Sequence, residues 1–263
     1  MKEIAYDNGN KIVIQKEEDI PNNCVFYGKN NILYCEESVT FSANSLVEFK
    51  GDNSIVYLGK NMHPYKIQIH MHHNSVCYIG KNNYINQVMD IFCSEGKHVF
   101  IGDNGIYAYG IGIINSDGHV IYDIDSHRRI NCGKSIFIGD HVWLGAECRI
   151  LKGTHIHSGS VIGQGSVVSG KNIKSNEIWG GNPARLIKNN IFWSWQCVHM
   201  FNEEETRELS SMYGNDCVYE YDSAEYMNFN LIEENLDKLK NAQEKFLYLQ
   251  KINREVRKNR FSR

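Results

Sequence analysis

From Ile138 onward the chain repeats itself every six residues: IGDHVW, LGAECR, ILKGTH, IHSGSV, IGQGSV, VSGKNI. The first position is always aliphatic (Ile138, Leu144, Ile150, Ile156, Ile162, Val168), and the fifth is small or modest (Val142, Cys148, Thr154, Ser160, Ser166, Asn172). Six residues suffice for one short flat face, and three faces close a coil of about eighteen. Each coil points one aliphatic side chain per face inward and stacks it on its counterpart in the next. The pattern therefore predicts an all-β solenoid, a prism of short parallel strands whose edges are covered by neighbouring coils. A sandwich of short strands also has frequent glycines, but not six successive matches to one hexad.

A looser form of the pattern runs upstream: YGKNN at Tyr27, LGKNM at Leu58, IGKNN at Ile79 and IGDNG at Ile101, at intervals of 21 and 22 residues in the middle of the series. Glycine after the aliphatic residue is read as allowing a tight, sometimes positive-φ corner. The next interval, from Ile101 to Ile138, is 37 residues. About one coil's worth of chain must therefore leave the prism, in a loop around 114–136. That loop, SDGHVIYDIDSHRRI, carries His119 and His127. Loops projecting from a rigid scaffold are where reactive groups are commonly held.

Composition narrows the classes. With 42% hydrophobic residues and a formal charge of -3, the chain is not a nucleic-acid binder by charge. The first residues, MKEIAYDNGNKIVIQKEED, lack the apolar run of a secretory signal. No stretch approaches the roughly eighteen apolar residues of a membrane span, so the expected location is cytoplasmic. Eight cysteines (Cys24, Cys35, Cys77, Cys93, Cys132, Cys148, Cys197, Cys217) show no CxxC or tight clustering, and read as reduced, mostly small core fillers.

Residues 138–173 resemble the hexapeptide-repeat acyltransferases, and WGGNPARLIK (179–188) is similar to the segment that ends the solenoid in the acetyl-CoA-dependent members. The resemblance implies a left-handed parallel β-helix, trimeric, with active sites between neighbouring subunits. It places His119 as general base and Trp143 in the tunnel between donor and acceptor. An imidazole suits the role of base because its ordinary pKa lies near neutrality. The implied donor contacts are Trp143, Ala146 and Gln164 along the pantetheine arm, Ser169 near it, and Arg185 and Lys188 for the phosphates. Lys171 joins them less securely, because VVSGKN has one residue more than the commoner form. The long irregular N-terminal coils and the SDGH loop look most like capsule or lipopolysaccharide O-acetyltransferases. The expected partners are thus acetyl-CoA and a carbohydrate acceptor, with no metal. A sugar-nucleotide N-acetyltransferase and a non-enzymatic β-helix scaffold are the competing readings.

Other histidines have blander readings. IHMHHN (His70, His72, His73) lacks the five-residue spacing of a zinc-binding hexapeptide enzyme and reads as a polar coil face or part of an acceptor groove. His127 reads as structural, with Arg128 and Arg129 as candidate acceptor charges. His141 reads as plain surface.

The division expected is a β-helix domain over 1–190 and a C-terminal part over 191–263. In the latter, IFWSWQCVHMF is expected to cover the open core of the last coil, and 203–213 to form a short acidic helix. Apolar residues at Ile232, Leu236, Leu239, Ala242, Phe246, Leu249 and Val256 predict one amphipathic helix of six or seven turns. From Lys251 the tail has six basic residues (Lys251, Arg254, Arg257, Lys258, Arg260, Arg263) against Glu255. It reads as a solvated helix end, the alternative being a tether to an anionic polymer or membrane.

Overall fold

Three stacks of buried side chains run the length of the computed structural model, which describes residues 1–15, 24–209, 227–255 and 260–261. One stack is Leu58, Ile79, Ile101, Ile138, Ile156 and Ile173, each paired in register with the next across a parallel ladder. The second is Val47, Ile69, Ile91, Ile113, Ile150 and Val168. The third is Ile85, Tyr107, Leu144 and Ile162, ending on Trp179. All the aliphatic members are 0–1% exposed. Burying each contributes roughly 1.5–3 kcal/mol, so the hexad repeat is the core itself.

The stacks belong to three sheets of nine, seven and six strands. Pairing is parallel except at the two ends, where Lys2–Ala5 folds antiparallel onto Lys11–Ile14 and Arg185–Lys188 onto Ile178–Gly180. These hairpins cover edges that would otherwise offer unpaired backbone groups. The expected cover for the last coil, the aromatic run after Lys188, lies elsewhere. Ala184, fully buried, and Trp179 close the core at that end, while Trp193 climbs the outside of an earlier corner to stack on His141.

The glycines after the aliphatic residues are explained differently from the sequence expectation. Gly59, Gly80, Gly102 and Gly139 form one column, and none has positive φ. A Cβ on Gly59, Gly80 or Gly102 would lie 2.7–2.8 Å from the carbonyl carbon of the next glycine in the column. Close approach of successive coils, rather than a left-handed turn, excludes a side chain. The left-handed conformation falls two residues later, on Asn82, Asn104 and His141 (φ 54, 59 and 54), where asparagine and histidine are tolerated. Gly80→Ala is accordingly expected to cost about 1–3 kcal/mol in a denaturant titration. Gly118→Ala, with no atom within 4 Å of the new methyl, should shift stability by less than about 0.5 kcal/mol.

The long helix expected at the C-terminal end is two helices, not one. Helix α1 spans Glu203–Leu209, and 210–213 of the expected acidic helix lie outside the described residues. Helices α2 (Phe229–Lys238) and α3 (Ala242–Asn253) replace the single long helix. The apolar spacing continues across the break, but Asn241 takes an extended conformation and its side chain accepts from Glu244 N at 2.9 Å. That N-cap starts a new helix. Val256 lies outside the described residues.

Both helices lie against the outer face of the nine-stranded sheet. Phe229, Ile232, Leu236, Ala242, Leu249 and Ile252 pack with the outward side chains Ile55, Tyr57, Val76, Tyr78, Phe100 and Phe137. A sheet covered on both faces reads apolar at every position, which accounts for IVYL, VCYI, VFI and IFI. The seven-stranded sheet, with one face open, alternates as in IQIHM and MDIFC.

Two features anchor the helices. His98, buried, accepts Val76 N on Nδ1 at 3.2 Å and donates Nε2–H to Asp237 of α2 at 3.2 Å, while Lys97 pairs with Asp237 at 2.9 Å. The His98 hydrogen bond, followed by Lys97, holds the Asp237 carboxyl down to about 2. A depressed carboxylate contributes stability above its unfolded value near 4 and loses it as pH falls through the folded value. Acid unfolding should therefore steepen between about pH 4 and 2, and Asp237→Asn should flatten the stability profile in that window.

The second anchor corrects the reading of the tail as a solvated end. The Arg260 side chain is 1% exposed. Its Nε and Nη2 reach Asp140 Oδ2 and Oδ1 at 3.1 and 2.9 Å, and Nη2 also reaches Asp103 at 3.0 Å. Arg260 N donates to Asp140 Oδ2 at 2.8 Å, and Phe261 beside it is buried against Phe229 and Phe100. Arg257, Lys258 and Arg263 lie outside the described residues.

Candidate active site

The excursion leaves the second sheet after Gly112–Ile114 and rejoins the first at Ile136–Ile138. Buried Asn115 ties its two ends together: its Oδ1 accepts Ser94 N at 2.9 Å and its carbonyl accepts Lys134 N at 3.1 Å. At the tip, Asp123 accepts Ser126 N at 2.8 Å and Ile130 N donates to Ile121 O at 3.0 Å, making a small hairpin bridged at Tyr122 and Arg129. His127 occupies a left-handed position in that turn (φ 55) and is exposed, a place in the turn itself.

Between tip and base, Asn131 organises the loop. Its Oδ1 accepts Ile121 N at 2.9 Å and Arg129 Nε at 3.2 Å, and its Nδ2 donates to His119 O at 2.7 Å and Asp117 Oδ2 at 2.9 Å. Both strands of the loop are thereby held by one amide, 7% exposed. Two ion pairs fasten the loop to the solenoid: Arg129 Nη2 to Glu95 at 2.9 Å, and Lys152 Nζ to Asp117 at 2.6 Å. Arg129 holds the Glu95 carboxyl below its usual range, and Lys152 does the same to Asp117.

His119 lies at the mouth of a cavity of about 520 Å³, with His72, Phe92, Ser94, Glu95, Asp117 and Arg129 among its walls. The imidazole is exposed and has no hydrogen-bond partner among the described residues; what Asn131 holds is the His119 backbone. Phe92 stands on the outward column of the second sheet, stacked on His70 at 4.5 Å, and His70 Nδ1 pairs with Glu48 at 2.7 Å. Burial pushes the His72 pKa down, and His73 is exposed.

The other site residues expected from the sequence sort onto two faces. Ser169 is exposed on the outward column that runs Phe92, Ile114, Leu151, Ser169. Half-buried Lys171 follows it, its carbonyl accepting His155 N at 2.7 Å. Trp143, 42% exposed, stands on the third sheet, on the column Ile106, Trp143, Val161, Ile178, Lys188. Ala146 (7% exposed) and exposed Gln164 sit at the corner past that sheet, and Ala146 O accepts Gly165 N at 2.8 Å. Exposed Arg185 lies in the terminal hairpin with Lys188. Thus His119 and Ser169 share one side of the prism, and Trp143, Gln164, Arg185 and Lys188 another. One chain does not bring His119 and Trp143 together.

His141 is not surface, as alternation suggested. It is 2% exposed, its ring lies 3.8 Å from Trp193 at an interplanar angle of 3°, and Nε2 faces Trp193 O at 3.1 Å. Trp193 Nε1 donates back to His141 O at 3.1 Å and stands 6.1 Å from Trp143. Strand alternation does not govern a corner residue with positive φ. Cys35, Cys77, Cys93 and Cys148 are buried as expected, Cys132 and Cys197 are exposed, and Cys217 lies outside the described residues.

Residues 135–170 match the family model described as bacterial transferase hexapeptide (six repeats). A polysialic acid O-acetyltransferase of Neisseria meningitidis is 28% identical over 184 residues, 69% of this chain and 85% of that one. Another, from Escherichia coli O1:K1 / APEC, is 38% identical over 116 residues, 44% of this chain but only 37% of its own length. Among solved structures, that of the polySia-specific acetyltransferase NeuO superposes with a TM-score of 0.63 at 31% identity, covering 77% of this chain and 92% of that one.

Proposed function

The chain belongs to the hexapeptide-repeat acetyltransferases, bacterial polysaccharide O-acetyltransferases among them, and from that premise we propose that it transfers the acetyl group of acetyl-CoA to a sugar hydroxyl of a bacterial surface polysaccharide. The observation that carries this reading is His119, whose backbone carbonyl Asn131 holds and whose exposed imidazole lines an open cavity together with Phe92. His119 removes the hydroxyl proton as the sugar oxygen attacks the thioester carbonyl. As the carbon–sulfur bond breaks, the imidazolium returns that proton to the departing thiolate, which leaves as the thiol. Transfer is direct, without an acyl-enzyme.

The donor is assigned to the face bearing Trp143. Exposed Trp143 offers an apolar wall for the pantetheine arm, with Ala146 and Gln164 at the neighbouring corner. Arg185 and Lys188 are exposed and form no ion pair among the described residues, which suits them to anionic phosphates. Because His119 and Trp143 lie on different sides of one prism, a complete site takes the second face from a neighbouring copy, in a left-handed β-helix trimer. The setting is the cytoplasm, where acetyl-CoA is made.

The test is release of CoA thiol that requires a glycan, followed by mild base on the product. An O-acetyl ester is cleaved by that treatment. A base-stable acetyl group would point instead to amide formation on an aminosugar, and thiol release independent of any glycan would oppose both.

A further inference from the structure

We infer that the sugar accepted at the His119 cavity is uncharged, an inference that rests on the transferase reading above and narrows its acceptor. The cavity wall holds two carboxylates, Glu95 and Asp117, against one guanidinium, Arg129. The cation is already committed: Arg129 Nη2 is on Glu95 at 2.9 Å and Nε on Asn131 Oδ1 at 3.2 Å. A further cation beside the wall, Lys152, is spent on Asp117 at 2.6 Å and on Asn131 O at 2.9 Å. Neither carboxylate can swing aside cheaply. Glu95 takes Gly133 N on its second oxygen at 3.2 Å, and Asp117 Oδ2 also takes Asn131 Nδ2 at 2.9 Å.

Burial disfavours the charged form of His72, which leaves it a neutral hydrogen-bonding wall. Further along the same sheet face, Glu48 is paired with Lys50 at 3.2 Å and hydrogen-bonded with His70 at 2.7 Å. An acidic sugar would therefore meet two fixed carboxylates and, among the described residues of the wall that this chain contributes, no uncommitted cation. Recruiting Arg129 would strand Glu95, and unpaired charges of this kind discriminate against a ligand as effectively as a clash.

What remains suits a neutral ring. Phe92, 36% exposed and braced by His70 at 4.5 Å, gives an apolar platform for the C–H face of a pyranose. Ser94, His72 and Asp117 surround it with hydroxyl-bonding groups. This sets the chain apart from relatives named for polysialic acid, a polymer with one carboxylate per sugar.

The probe is a matched pair: polysialic acid, and the same polymer with its carboxyls methylamidated, which removes charge without adding a hydroxyl. With acetyl-CoA at low ionic strength, kcat/KM is expected to be at least about tenfold higher on the neutralised polymer and insensitive to added salt. Phe92→Ala should raise KM for it about tenfold at nearly constant kcat, with Phe92→Tyr restoring it. Glu95→Gln, which frees Arg129, should move the ratio about tenfold toward the native acidic polymer. Preference for the native polymer, weakened by salt and unmoved by Glu95→Gln, overturns the inference while leaving the transferase intact. If neither polymer is acetylated or bound, the inference fails, and the transferase reading is decided separately by glycan-dependent thiol release.

Discussion

His119→Ala is expected to lower kcat for glycan acetylation by about 10²–10⁴-fold while leaving acetyl-CoA affinity unchanged. The size reflects the chemistry of the acceptor, since a neutral sugar hydroxyl is a poor nucleophile whose proton must leave as the oxygen attacks. The separation of effects follows from the division of roles, since the donor contacts assigned above, Trp143, Arg185 and Lys188, lie on another face of the chain from the His119 loop and do not include it. The imidazole forms no hydrogen bond within the described residues, so the substitution should scarcely change thermal stability. Steady-state kinetics of the variant beside equilibrium binding of acetyl-CoA makes the check. Equal loss of CoA binding would move His119 from proton transfer to the donor site, and full activity would remove it from the mechanism.

The second large effect concerns stability. Arg260→Met should destabilise the fold by about 3–5 kcal/mol, because it strands buried carboxylates rather than merely deleting an attraction. Such a loss is a large share of the roughly 5–15 kcal/mol that holds ordinary domains together. Burial, then Asp140, already pushes Asp103 up to about 6 with Arg260 in place. A carboxylate raised above its unfolded value weakens the fold as pH rises through the interval between the two values. Without the guanidinium that penalty grows, so the variant should recover part of its deficit on acidification toward about pH 5, opposite in sign to the effect at Asp237. Asp140→Asn on the Arg260→Met background should also return part of the loss. Denaturant midpoints at about pH 5 and pH 7.5 for the three proteins decide it; an unchanged midpoint in Arg260→Met would mean that the pair contributes nothing.

The solenoid was legible because its core is periodic. Every first position of the hexads proved to be a member of a buried stack, and the 37-residue interval marked the excursion. What escaped was aperiodic. Asn131 binds both sides of the loop through one side chain, and nothing in a lone asparagine between Ile130 and Cys132 announces that. His141 was misread because alternation was applied to a corner. The break at Asn241 was missed because apolar spacing runs through it, although an asparagine three residues before Glu244 is the kind of signal that starts a helix. Arg260 was hidden by its neighbours: in a run of basic residues, composition cannot single out the one that is buried. His119 and Trp143 became candidates through family likeness more than through their local sequence, since a histidine in a polar loop has many ordinary uses.

The pairing of Arg260 with Asp140 also orders events during synthesis. The two residues are 120 positions apart, which at about 5–20 residues per second puts roughly 6–24 s between their emergence from the ribosome. For that time the coils can stack, yet Tyr57, Tyr78, Phe100 and Phe137 face water because α2, α3 and Phe261 do not yet exist to cover them. The nascent chain thus carries a sticky aromatic stripe and an uncompensated pair of acids until its last helices arrive, a window in which chaperones, rather than the finished fold, must keep neighbouring chains apart.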